Sequence, residues 1–108
     1  MSQQLLKQEM TISQILRIHG KQFTQIREQY SDGLNGRCAI GVIMSYYGWN
    51  GNSKYGFDAA RSSLAALVAL RRDGVSYWAV IEMNDSGLTF DEIADYLDRN
   101  HELANGYS

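Results

Sequence analysis

Two tetrapeptides fix where helices start in this chain. Thr11-Ile-Ser-Gln14 and Thr89-Phe-Asp-Glu92 have the capping-box form, in which the Thr hydroxyl accepts from the backbone N–H three residues on and the Gln or Glu side chain reaches back to the Thr N–H. Met10 with Ile15, and Leu88 with Ile93, supply the apolar pair that staples such a start. Helix starts near both ends, with no internal repeat between them, make the 108 residues a single helical domain, 1–108. A chain of this length can bury about two-thirds of its extended surface, enough for a core without disulfide or metal staples.

Apolar spacing extends the first helix from its cap to Tyr30, because Ile12, Ile15, Leu16, His19, Phe23, Ile26 and Tyr30 fall on one stripe. Ser31-Asp32-Gly33 is its stop, and Gly20 inside it implies a closely packed neighbour or a bend. Asn35 is the expected cap of a second helix over 36–47, with Ala39, Val42, Ile43 and Tyr46 on one side. Three glycines in 48–56 make that stretch a loop. Asp58 caps a third helix over 59–72, which carries Arg71 and Arg72 at its negative end and Gly74 as its left-handed stop. Its segment 64–70 has no polar residue, so this helix is expected to be the buried one. The residues of 75–83 favour a strand, but a lone strand leaves its backbone groups unpaired, so a helix is expected. The last helix runs from Thr89 to about Asp98. Residues 1–10 form an arm or short helix, and 100–108 a frayed tail.

The expected fold is therefore all-α, a compact domain of four or five helices around a central apolar helix. The alternative is α+β, with a two-stranded pairing of 38–46 and 75–83.

A single cysteine, Cys38, makes no intramolecular disulfide, and with two histidines it builds no Cys/His zinc site. No metal and no cofactor are expected. An apolar content of 44% with a net charge of −2 argues against disorder. The run 64–70 is far short of the roughly 20 residues of a membrane span, and the polar start is no leader, so the expectation is a cytoplasmic protein with no membrane partner. Charge is unevenly spread: nine basic and four acidic residues lie up to Arg72, one basic and eight acidic beyond it. Such a gradient marks either a partner surface or two parts of one chain that pack together.

Gly36-Arg-Cys38-Ala-Ile-Gly41 and Asn84-Asp-Ser-Gly-Leu-Thr-Phe-Asp-Glu-Ile-Ala94 resemble small uncharacterised prokaryotic proteins of a domain-of-unknown-function type. Those combine a Cys-Ala-x-Gly helix start with a later Asn-Asp turn and a Thr-capped helix. The resemblance is confined to these segments and implies a compact helical domain with no assigned activity. The stretch 87–97 also resembles the first helix of a helix-turn-helix. A DNA reader would need a basic second helix, and the residues after Leu97 carry Asp98, Arg99 and Glu102. Taking 89–98 itself as the reading helix puts four acids against phosphate. The same turn fails as a calcium loop, because with Gly87 sixth the twelfth position is Ile93 rather than Glu. Gly36 to Gly41 has phosphate-loop glycine spacing, but Val42 stands where Lys is required.

Cys38 is the catalytic candidate. A helix start and the neighbouring Arg37 favour a thiolate, and a Cys enzyme or redox switch would need His19 or His101 as its base. Against this, a free Cys is ordinarily a small buried hydrophobe, and His19 sits among apolar neighbours. Tyr46, Tyr47, Trp49, Tyr55 and Phe57 crowd around the 48–56 loop, where Lys54 and the following Arg61 accompany them. Rings with Arg or Lys suit protein hot spots and single-stranded nucleic acid alike; otherwise they roof the core where glycine lets the chain turn. The leading expectation is a non-enzymatic interaction or regulatory module that binds a protein partner or itself, as a homodimer, through Tyr47, Trp49, Asn50, Lys54 and Tyr55. The alternative is a nucleic-acid-binding protein that uses Arg37, Lys54, Arg61, Arg71 and Arg72, with Arg17, Lys21 and Arg27, on a basic face.

Overall fold

The computed structural model describes residues 10–52 and 57–107, apart from the side chains of 57, 58 and 101–107. Its fold is all-α. The helices are α1 (Ile12–Ile18), α2 (Ala39–Tyr46), α3 (Phe57–Arg72), α4 (Tyr77–Asp85) and α5 (Phe90–Tyr107). A two-residue parallel pair, β1 (Thr24–Gln25) and β2 (Gly36–Arg37), joins the first two, with Thr24 opposite Gly36 and Gln25 opposite Arg37. Among the described residues no helix is long and apolar enough to cross a membrane.

Both capping boxes form. The Gln14 N–H donates to Thr11 Oγ1 at 3.2 Å and Gln14 Oε1 accepts from the Thr11 N–H at 2.9 Å. Glu92 and Thr89 make the same exchange at 3.1 and 2.9 Å. Gly74, at φ +69°, ends α3 as expected: its N–H donates to the Arg71 carbonyl at 3.1 Å and the Val75 N–H to that of Leu70 at 2.8 Å, the two bonds of a Schellman stop. Segment 75–83 enters a helix, started by Ser76, whose hydroxyl accepts from the Ala79 N–H at 3.2 Å. Since 38–46 and 75–83 are both helical, the strand pairing imagined between them is replaced by the β1–β2 pair. The last helix continues past Asp98 to Tyr107 instead of fraying at Asn100.

The helix expected over 12–30 stops at Ile18. His19–Gln22 tightens into a 3₁₀ turn, and Phe23 is extended at φ −125°, ψ 154°. Gly20 lies under the Phe90 ring, where a Cβ would stand 2.9 Å from Cδ2. The backbone that follows finds its partners in the second segment: the Thr24 N–H donates to the Asn35 carbonyl at 3.0 Å and the Ile26 N–H to that of Arg37 at 2.9 Å. Asn35 is consequently not a helix cap; its amide donates to the Gln22 carbonyl at 2.8 Å. Cys38 is the cap of α2, its Sγ accepting from the Gly41 N–H at 3.4 Å. The expectation of Asp58 as a cap falls on a side chain outside the described residues, and α3 already includes position 57.

The buried helix at the centre is α2, not α3. Every residue from Ala39 to Met44 is buried, and α2 packs against α1, α3 and α4, while α1 packs chiefly on α5. The apolar run 64–70 divides instead. Ala66, Ala69 and Leu70 face inward with Ala59 and Ser62, whereas Leu64, Leu67 and Val68 are 64%, 44% and 60% exposed. Where α3 meets α1, Asp73 Oδ2 accepts from the Ile12 N–H at 2.8 Å and Arg72 donates to the Met10 carbonyl at 3.0 Å.

Candidate functional site

Three places in this fold concentrate side-chain chemistry. The first is a buried cation. Arg37 is 4% exposed, and its donors go to the chain itself: Nε to Ser45 Oγ at 2.9 Å, Nη1 to the Gly36 and Leu34 carbonyls at 2.8 and 3.0 Å and to Ser31 Oγ at 3.1 Å, and Nη2 to the Asn50 carbonyl at 3.2 Å. Its guanidinium carbon stands 4.6 Å from the Phe23 ring centre and 5.6 Å from that of Trp49. Burial lowers its pKa, and the nearby Asp32 charge opposes that shift. Asp32 itself accepts from the Leu34 and Gly36 N–H groups at 2.8 and 2.9 Å, which hold its carboxyl below the ordinary range. One planar donor set thus ties the 26–35 loop, α2 and the turn after it into a single body.

That arrangement changes the expected partner site. Trp49 is 4% exposed and faces the core, so it offers a partner no open ring. Tyr47 is half-buried, its ring edge-on to Tyr46 at 4.9 Å. Asn50 is exposed, its side-chain oxygen accepting from the Asn52 N–H at 2.9 Å. Lys54 and Tyr55 lie outside the described residues. Of the basic set, Arg37 is withdrawn from phosphate by its own bonds. Arg17 pairs with Asp98 at 2.6 Å and also with Asp95, and Arg72 with Asp73 at 2.8 Å. Arg61 and Arg71 are exposed along α3. The α4–α5 hairpin presents Asp91, Glu92 and Asp95 at the start of its second helix, a poor surface for a polyanion.

The second place is a niche of about 260 Å³ lined by Glu28, Gln29, Tyr30, Cys38, Ile81, Asn84 and Asp85. Glu28 is left-handed at φ 67°, with its N–H on Asp85 Oδ1 at 3.0 Å. The Tyr30 and Tyr77 hydroxyls are hydrogen-bonded to each other, and burial raises the pKa of Tyr77. Cys38 is 5% exposed, and burial pushes its thiol up against the lowering effect of the Gly41 and Ile40 N–H groups. His19 cannot serve it. The imidazole packs edge-on to Tyr46 at 5.7 Å, at the far end of an eight-residue helix that Cys38 begins, a span of about 12 Å. His101 has its side chain outside the described residues. Cys38 caps α2, with its thiol buried.

Asn84, the first residue of the Asn-Asp turn read in the sequence, joins its own helix to the 25–26 stretch and to the start of α2. It is 1% exposed; Oδ1 accepts from the Ala39 N–H at 3.0 Å and from Gln25 Nε2 at 2.8 Å, and Nδ2 donates to the Ile26 carbonyl at 2.8 Å. Gln25 extends the network to the Leu88 carbonyl at 2.7 Å and the Phe90 N–H at 3.1 Å. The Cys-Ala-x-Gly start and the Asn-Asp turn, far apart in sequence, are thus in direct contact.

The third place is the outer face of α3. Leu64, Leu67 and Val68 form an open apolar strip between Arg61 and Arg71, while the opposite face, built mostly of Ala and Ser, lies against α2. On α4, Trp78 is 72% exposed. The strip was readable in principle: Leu64, Leu67 and Val68 share one side at helical spacing, and the small residues Ala59, Ser62, Ala66 and Ala69 share the other. Among the described residues no group of three or more His, Cys, Asp or Glu is placed to hold a metal ion. Compared with known proteins, the chain matches no family model, no curated protein and no solved structure.

Proposed function

We propose that this chain is a small non-enzymatic interaction module that docks a protein on the outer face of α3. The observation that carries the reading is the exposure of Leu64, Leu67 and Val68 on a helix whose other face is already packed. Three adjacent aliphatic side chains about half exposed forgo the remaining burial that a partner would provide, about 1 kcal/mol apiece. Contiguous apolar surface of this kind, rimmed by polar groups, is characteristic of interaction sites. The bonding of Arg37 and Arg17 within the chain weighs against a phosphate-reading face, because affinity for a polyanion scales with the cations that reach it.

Light scattering coupled to size exclusion, at low and high salt and with the ultraviolet absorbance ratio, tests the proposal. A protein-only assembly heavier than 12.2 kDa that survives high salt, and that Val68→Glu reduces to the single chain, is the expected result. A lone chain that carries nucleic acid at low salt and sheds it at high salt overturns the reading. So does a lone chain free of nucleic acid.

A further inference from the structure

We propose that the occupant of the α3 face is helix α4 of a second copy of this chain, an inference that rests on the reading of α3 as a docking face. The two helices are complementary in both apolar surface and charge. Over Phe57–Arg72, α3 carries Arg61, Arg71 and Arg72 against the one acid Asp58, with Arg72 paired to Asp73; α4 carries Glu82 and Asp85 and no base. On α4 the exposed residues Trp78, Glu82 and Asp85 follow at spacings of four and three, so they share one face. Trp78, 72% exposed, is the residue type that most often anchors an interface by filling an apolar recess. Leu64, Leu67 and Val68 supply the apolar surface for its ring, and an arginine at one end of the strip, Arg61 or Arg71, matches the acids that follow Trp78.

Pairing α3 with α3 lacks this match. Two such helices crossing antiparallel at Leu64 and Leu67 bring Arg61 of one copy toward Arg71 of the other, and a parallel pair sets each arginine against itself. Like charges across an interface disfavour it and select against that pairing. An α3-to-α4 contact repeated by a two-fold axis is instead satisfied twice and closes as a dimer.

The test compares wild type, Val68→Glu and Trp78→Ala by light scattering on the full chain, with a thermal melt of each to confirm folding. Both positions are solvent-exposed, so neither substitution opens a core. Wild type is expected at twice 12.2 kDa, and both variants at the single-chain mass with folding retained. A Trp78→Ala protein that stays dimeric while Val68→Glu does not overturns the α3–α4 pairing and leaves the docking face standing. A wild-type assembly whose mass is not a multiple of the chain's does the same, since another protein then fills the face. A monomeric wild type removes both.

Discussion

The Tyr30 carbonyl lies against the Cα of Gly41, on the first turn of the buried helix. A Cβ at position 41 would stand 3.1 Å from the carbonyl carbon and nearer still to the oxygen. That oxygen also accepts the Cys38 N–H at 3.2 Å, so the 26–35 loop and the start of α2 are held at a distance only glycine permits. The obstacle is backbone already committed to a hydrogen bond, and it cannot swing aside as a side chain would. Gly41→Ala is therefore expected to cost about 3 kcal/mol, read as a lower denaturation midpoint at unchanged slope. Gly74→Ala provides the contrast. It meets nothing within 4 Å and costs only the left-handed backbone, about 1–2 kcal/mol. Equal losses at the two positions would remove the steric account.

Asn84 presents the same economy in polar form. Three of its bonds satisfy the N–H of Ala39, the amide of Gln25 and the carbonyl of Ile26, and the residue is 1% exposed. Asn84→Ala leaves those groups to find other partners, and a loss of about 3 kcal/mol or more is expected from the unmade bonds and the stranded backbone groups. Asn84→Asp keeps the acceptor but sets a carboxylate oxygen against the Ile26 carbonyl, and it should be no more stable than the alanine variant near neutral pH. Chemical denaturation of both variants decides the matter. A near-wild-type midpoint for either contradicts the assigned role.

Much of the helical frame was legible because its signals are local. Thr11, Thr89 and Gly74 act on backbone groups within a turn of themselves, so the residue types alone located those ends. What escaped was decided at long range. Gly20 signals a close neighbour or a bend, but nothing near it names Phe90 as that neighbour, and Asn35 has the composition of a cap but is drawn away to Gln22. Cys38 is not a residue type that announces a cap. Segments 39–44 and 64–70 are similarly apolar in sequence, and their fates differ because α2 has neighbours around it while α3 has open solvent on one face. The aromatic cluster points to a partner surface only because Lys54 and Arg61 accompany its rings. In the fold Trp49 packs beside the Arg37 guanidinium, a buried cation that no spacing rule marks.

Cys38 separates its two sequence readings in a labelling experiment. A helix start lowers a thiol pKa, but burial raises it here and the sulfur is almost wholly covered. Attack on a disulfide reagent needs an accessible thiolate, and both conditions fail in the folded state. Labelling is expected to be slow at pH 7–8 in native buffer, roughly tenfold or more below an exposed thiol, and complete once denaturant is added. Its rate should also follow the opening of the fold, so Gly41→Ala should label faster than wild type. Fast labelling in native buffer would return the thiol to the list of reactive groups.

His19 gives the fold a pH dependence with a definite sign. Its ring lies between the Phe23 and Tyr46 rings, with the Gln22 amide 3.1 Å from Nδ1. Partial burial lowers its pKa from the ordinary 6.5, because the imidazolium loses hydration that aromatic edges and one neutral amide do not replace. The folded state therefore binds this proton less readily than the unfolded state. The contribution of neutral His19 is complete above pH 6.5 and declines as pH falls below it, levelling off beneath the folded pKa. Asp32, with its carboxyl held low by backbone N–H groups, acts in the same direction only in the more acidic range below 3.8. Two measurements isolate the histidine. Its imidazole resonances should titrate with a midpoint below 6.5, and His19→Gln should flatten the stability profile from pH 6.5 downward while leaving the Asp32 fall at lower pH in place. A midpoint at 6.5 would remove the slope assigned to the ring, and one above 6.5 would mean that it finds a partner for its charge and would reverse that slope.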